Sequence, residues 1–317
     1  MEFSGYAFIL TVIEPKVTTP YKIIPQHTLQ KATPEQVKIL KATLERFNTN
    51  PTYFLYPPYE VNVKVVQGER AEQQNYEYKK LKTEDWRYWI ISFEPNNTEM
   101  MNIGSALSLM KNHIELGFEI IGKDEENTGF NWHAQSLHTF FNDYMRRQLK
   151  PKPILEEDLL LAAHCYEKLL SLPDEYQHIR RAFQLFNDLR SIPLSSRLAI
   201  LGLFSVLESL LTHAPEPIDP SSSLTRQITR KIALIQKRFV RDLDYEIWFD
   251  GIQEKKLWKK LYLYRSLIAH GEEAHISDKL ENLKSPGRVV SFLREVLKLL
   301  LVESLDEPEL ITDLKKC

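Results

Sequence analysis

The stretch from Leu257 to Gly271, LWKKLYLYRSLIAHG, constrains the fold more than any other part of the chain. Its apolar positions Leu257, Leu261, Tyr264 and Ile268 fall at i, i+4, i+7 and i+11, one face of an α-helix. From Leu261 to Ala269 the run is almost wholly apolar, so the spacing predicts a core helix. The one arginine inside it, Arg265, then needs a partner, because a charge buried alone is expensive. Gly271 predicts the stop, since glycine adopts the positive φ of a helix end without steric cost, and His270 becomes the last helical residue. Positions five apart point about 140° away from each other on a regular helix, so Arg265 and His270 share no face in mid-helix; at a fraying end they can converge. The negative end of the helix dipole also favours a protonated imidazole there.

A partner for Arg265 is legible in a second helix, Ser196 to His213. Glu208 is the only formally charged side chain between Leu198 and Thr212. The economical solution is that Glu208 and Arg265 face each other or line one polar cleft; a buried pair that sets helix register without doing chemistry accounts for the same two residues. A third helix, expected over Leu224 to Arg241, carries Ile228, Ile232, Ile235 and Phe239 as an apolar stripe. Arg226, Arg230, Lys237 and Arg241 lie opposite, and no Asp or Glu occurs from Pro220 through Arg241. In a chain of net charge −2 this is a local basic face, suited either to solvent or to a phosphate backbone.

These helices belong to a second half that reads as nearly all helix: Glu156 to Ser171, Asp174 to Ser191, Ser196 to His213, Leu224 to Arg241, Glu254 to His270 and Pro286 to Leu305, with mostly short connections, as in a bundle. The segment Gln148 to Leu155, QLKPKPIL, separates it from a first half of different character, giving domains 1–150 and 151–317. In the first half Tyr6 to Ile13 predicts a strand. Thr33-Pro34-Glu35-Gln36 predicts a helix start with a capping box, the helix running to about Asn48. Tyr53 to Val66 and Trp86 to Phe93 read as strands, Asn97 to His113 as helix, Gly117 to Ile121 as strand and Ala134 to Arg147 as helix. The fold class expected is therefore an α+β domain followed by an all-α helical bundle.

Several function classes are excluded or weakened at this stage. A length of 317 residues accommodates two domains, and 43% hydrophobic with 26% charged residues is ordinary for a globular chain. No run approaches the roughly 20 apolar residues that span a bilayer, and Tyr6 to Ile13 lacks the basic leader and cleavage site of a signal peptide; the expectation is a cytoplasmic protein without membrane contact. Cys165 and Cys317 are too far apart for a metal-ligand pattern. His133 and His138 beside Trp132 suit neither a zinc-protease pair nor a zinc finger, and packing explains them better. The aromatics between Tyr53 and Trp89 could stack bases, but strands of a small α+β domain use them for the core. No glycine-rich phosphate loop is present, and no cofactor or metal is expected.

The motif Arg265-Ser-Leu-Ile-Ala-His270, closed by Gly271, resembles the signature of the HEPN superfamily (higher eukaryotes and prokaryotes nucleotide-binding): an arginine, four to six residues, then a histidine near the end of a long helix. The run YRSLIAHG looks most like the ApeA-type HEPN proteins of bacterial antiphage and abortive-infection systems, and LGLFSVLESLL resembles that family's Leu-Glu-containing helix. The resemblance covers roughly residues 150 to 317. It implies a HEPN-like bundle acting as a metal-independent endoribonuclease, toxin-like or in antiphage defence. It implies a homodimer through the helical domain with two motifs facing each other. His270 would transfer protons, Arg265 would neutralise the scissile phosphate, and Ser266 and Glu208 would position them. Nuclease members often have Asn, Asp or His directly after the arginine, where this chain has Ser266. The α+β half would sense a regulatory protein or phage trigger. The rival expectation is a non-catalytic HEPN module that binds RNA, a nucleotide or a protein partner. A metal-dependent enzyme is a third, weaker reading, since no His/Asp/Glu spacing supports it.

Overall fold

The structure, a computed structural model, describes residues 5–47, 59–67, 74–93, 100–121, 129–132, 151–193, 196–214, 223–272 and 275–317. The chain forms two compact units, Met1–His164 and Cys165–Cys317. The first is β-rich and the second helical.

In the first unit, strands β1 (Gly5–Ile9), β3 (Tyr21–Ile24), β4 (His27–Lys31), β7 (Trp89–Phe93), β8 (Leu116–Ile121) and β9 (Gly129–Trp132) make one antiparallel sheet in the order β3-β4-β7-β1-β8-β9. Strand β1 is central. Tyr6 and Phe8 point to one face and Ala7 and Ile9 to the other, and all four are buried, so the strand reads as a continuous apolar run. Helix α1 (Pro34–Phe47) covers the Tyr6/Phe8 face with Val37, Leu40 and Leu44. Its start is the expected capping box: the Gln36 amide donates to Thr33 Oγ1 (3.3 Å) and the Thr33 amide to Gln36 Oε1 (2.9 Å). Tyr59 and Tyr88 complete this core, Phe8 meeting Tyr59 edge-on at 5.2 Å, so these two aromatics serve packing as expected.

Helix α2 (Met100–Leu109) lies within the expected Asn97 to His113 segment. A separate hairpin pairs β5 (Val61–Gln67) with β6 (Gln74–Lys80). Strand β2 (Ile13–Pro15) pairs in parallel with β10 (Lys152–Ile154), so the expected linker Gln148 to Leu155 contributes a strand to the first unit. Tyr53 to Pro58, the expected helix Ala134 to Arg147, and both His133 and His138 lie outside the described residues.

Helix α3 (Glu156–Ser171) contains the division between the units. The helical unit continues with α4 (Gln177–Asp188), α5 (Arg197–Leu211), α6 (Leu224–Ile235), α7 (Tyr245–Phe249), α8 (Glu254–Ala269), α9 (Pro286–Asp306) and α10 (Pro308–Lys316). Helix α5 packs on α4, α6, α8, α9 and α10. Its buried Ala199, Ile200, Leu203, Phe204, Val206, Leu207, Leu210 and Leu211 spread over more than one face, which lets it meet several neighbours at once. Gly202 lets Leu189 sit directly on α5: a Cβ there would lie 2.2 Å from Leu189 Cδ2. Helix α9 begins at Ser285, whose hydroxyl accepts the Arg288 amide (3.2 Å), with Pro286 in the first turn.

The third expected helix is shorter than its periodicity suggested. It ends at Ile235 and passes into a single 3-10 turn, Gln236–Arg238. Side-chain bonds decide this: Tyr245 donates to Gln236 Oε1 (2.7 Å), Gln236 donates to Glu254 (2.8 Å), and Arg238 turns to Glu303 (2.9 Å) and Glu307 (2.7 Å) on and after α9. Among the described residues, no helix is long and apolar enough to cross a membrane.

Candidate functional site

Glu208 and Arg265 meet. Arg265 Nη2 lies 3.2 Å from Glu208 Oε2, while the Tyr262 hydroxyl donates to Glu208 Oε1 at 2.7 Å. Each group comes from a position dictated by helical spacing. Glu208 lies one turn before the end of α5, and Tyr262 and Arg265 stand three apart on α8, hence on one face. The Arg265 guanidinium also lies over the Tyr262 ring, 5.6 Å from its centroid, and Phe204 meets that ring edge-on at 5.4 Å. Burial first, then the hydrogen bond to Glu208 and its negative charge, push the Tyr262 phenol well above its ordinary value, so it stays a donor.

The pair is not fully buried: the side chains are 27% exposed for Arg265 and 18% for Glu208. Arg265 Nε is nonetheless enclosed without a hydrogen-bond partner. Tyr6 Oη, Glu254 Oε1 and Tyr264 Oη share that state among the described residues, so the orphan donor by itself does not mark a site.

His270 stands elsewhere. Helix α8 ends at Ala269 with His270 as its cap residue, and the end is a Schellman motif: the Gly271 amide donates to Ile268 O (3.1 Å), the Glu272 amide to Leu267 O (3.0 Å), and Gly271 has φ +71°. His270 is exposed. Within one chain the structure thus brings Arg265 to Glu208 and Tyr262, while the imidazole forms no side-chain hydrogen bond among the described residues. The two do not converge by fraying, because the glycine turn holds the helix end in regular geometry. Ser266 is half-buried, and its carbonyl accepts the His270 amide at 3.0 Å.

The four basic residues expected on one face separate. Arg226 and Arg230 remain exposed on α6, and Lys237 is exposed in the 3-10 turn. Arg241 is committed to Glu295, at 2.5 Å from Nη2 and 3.0 Å from Nε. In their place the tertiary structure supplies Lys255 and Lys259 of α8. With Thr225, Arg226, Thr229 and Arg230 they line a cleft of about 410 Å³. Sequence reasoning missed both lysines. Their i, i+4 spacing in EKKLWKKL was visible, but which helix faces them was not. Tyr262 was missed as well, and its single clue is the i−3 position to Arg265.

Among the described residues no group of three or more His, Cys, Asp or Glu side chains could hold a metal ion. Cys165 is buried, which together with the charge of Asp306 pushes its thiol up to about 12, and Cys317 is exposed. Comparison with known proteins adds no relative: no family model matches the chain, nor does any curated protein or solved structure.

Proposed function

We propose that the helical unit is a metal-independent endoribonuclease of the HEPN type, acting in antiphage defence or abortive infection or as a toxin. The observation that carries this reading is the placement of Arg265. It is held by Glu208 beside Tyr262 near the end of α8, with one guanidinium nitrogen engaged, and an exposed histidine follows at the helix cap. RNA brings its own nucleophile, the 2′-hydroxyl, so such a site needs a proton carrier and a cation at the phosphorus centre. Arg265 neutralises the developing phosphorane charge with its remaining donors. His270 moves the proton from the 2′-hydroxyl or to the leaving 5′-oxygen. Glu208 and Tyr262 hold Arg265 in place. One chain supplies one imidazole, so base and acid come from two copies of α8 brought together in a homodimer. The first unit then serves as the sensor of a regulatory protein or phage trigger.

A second reading has an observation of its own. The Arg265 charge is already balanced by Glu208, and His270 contacts neither, which suits a non-catalytic HEPN module binding RNA, a nucleotide or a protein partner. One experiment separates the two. The purified protein is incubated with mixed RNA in excess chelator, beside Arg265→Ala and His270→Ala proteins. The catalytic reading expects cleavage by the native chain alone, with cyclic-phosphate ends. Cleavage surviving in His270→Ala protein, or products with 3′-hydroxyl ends that require a divalent metal, would eliminate it. Intact RNA in every lane, with the chain shown to be dimeric, would favour the binding module.

A further inference from the structure

The cleft between α6 and α8 is built like a site. Arg226 and Arg230 stand on one wall with Thr225 and Thr229, Lys255 and Lys259 stand on the other, and among the described residues the lining holds no carboxylate. Among the described residues, no acidic side chain pairs with Arg230, Lys255 or Lys259. That contrasts with the nearby arginines: Arg238 is bound to Glu303 and Glu307, Arg241 to Glu295, and Arg265 to Glu208. Arg230, Lys255 and Lys259, like charges crowded around about 410 Å³, repel one another, and an anion relieves that repulsion.

The shape narrows the choice of anion. Helices α6 and α8 pack on each other, and Gln236 at the end of α6 is tied to Glu254 at the start of α8. A groove between packed helices, whose axes stand about 8–10 Å apart, admits one extended strand and is too narrow for a whole duplex. On each wall the two cations are four residues apart, about 6 Å along the axis. That is on the order of the spacing between neighbouring phosphates along one strand. The lysine row also points somewhere. Lys255, Lys259, Tyr262 and Ser266 fall at i, i+4, i+7 and i+11 on α8, so the lysine row shares a face of the helix with Tyr262, which holds Glu208 beside Arg265. Lys259 and Arg265 are six residues apart, about 9 Å along the axis and about 120° around it, so a strand that touches both wraps partly round α8.

We infer that this cleft holds the phosphodiester backbone of single-stranded RNA, with Lys255, Lys259, Arg226 and Arg230 gripping the strand to one side of the phosphate presented to Arg265. The inference rests on the nuclease reading for the identity of the strand, while the cleft itself rests on its own lining.

The test measures binding with a probe that cannot be cleaved by 2′-hydroxyl attack: a fluorescein-labelled 2′-O-methyl oligouridylate, followed by anisotropy against salt concentration. The Lys255→Glu/Lys259→Glu and Arg226→Glu/Arg230→Glu proteins should each bind on the order of tenfold more weakly at low salt, with the log–log salt slope reduced by about 0.7 for each phosphate no longer neutralised. Lys316→Glu, a charge reversal elsewhere on the helical unit, should change neither. Because all four side chains are exposed, circular dichroism melts should match the native chain; where a reversal melts early, the Lys255→Gln/Lys259→Gln protein takes its place. Native affinity and slope in both paired variants would overturn the inference. So would a duplex of the same length binding as tightly as the single strand, or inorganic tripolyphosphate binding where the oligouridylate does not. The two readings fail separately. Probe binding that maps to the cleft, without cleavage of unmodified RNA, removes the nuclease and keeps the cleft; cleavage with probe binding indifferent to the cleft variants does the reverse.

Discussion

At the scale of single residues, truncating Arg265 should cost stability and truncating His270 should not. Arg265→Ala leaves Glu208 with only the Tyr262 hydroxyl. Because that carboxylate keeps 18% of its surface in water, the cost should be about 1–3 kcal/mol rather than the larger penalty of a fully buried orphan. Arg265→Met with Glu208→Leu should recover most of that loss, since an apolar pair of similar volume avoids the stranded charge. His270→Ala removes an exposed side chain and should stay within about 0.5 kcal/mol of the native chain. Thermal or urea unfolding reads all three. Equal destabilisation by Arg265→Ala and His270→Ala would mean that the imidazole has a structural contact absent from this geometry. The cysteines offer an independent check. Cys317 is exposed, whereas burial raises the Cys165 thiol to about 12 and keeps it protonated. A thiol reagent at neutral pH should therefore label one site in the folded chain and a second only after unfolding.

At the scale of elements, two glycines make opposite demands. Gly271 needs its backbone freedom: at φ +71° with open space around it, Gly271→Ala should cost about 1–2 kcal/mol through the left-handed backbone alone. It should also loosen the end of α8 that presents His270, lowering cleavage more than strand binding. Gly202 needs its missing side chain instead. In mid-helix it is a poor helix former, yet Leu189 occupies the space a Cβ would fill, so Gly202→Val should destabilise by about 1–3 kcal/mol through overpacking of α5 against the 189–191 turn. The shared measurement is the urea midpoint. A Gly202→Val chain as stable as the native one would show that α5 and Leu189 separate at little cost.

At the scale of the molecule, the proposed chemistry needs two imidazoles, and one face of α8 is suited to supply the contact. Leu263, Ser266, Leu267 and His270 fall at i, i+3, i+4 and i+7, and Leu263 is 41% exposed. Two copies related by a two-fold axis along this face would cover Leu263 and bring the two His270 side chains towards each other. Light scattering should report a dimer that Leu263→Asp converts to monomer with loss of cleavage. A native chain that stays monomeric at high concentration, with and without RNA, would count heavily against catalysis.

Local rules were sufficient wherever a few neighbouring residues decide the outcome. Periodicity and caps set α1 with its Thr33/Gln36 box, α3 over Glu156–Ser171 and the Gly271 stop of α8, because helix hydrogen bonds and turn sterics act within about four residues. Charge scarcity alone pointed Glu208 at Arg265. The hairpin Tyr21–Ile24/His27–Lys31 escaped notice, since its strands are short, Pro25 reads as a break, and its stability comes from pairing with β7, some sixty residues away. The same reason separates the basic residues. Whether Arg241 faces Glu295 or solvent, and whether Lys255 and Lys259 stand opposite Arg226 and Arg230, depends on how α6, α8 and α9 pack. Helix packing is set by apolar burial summed over the whole unit, and a charged side chain then pairs with whatever that packing places within reach.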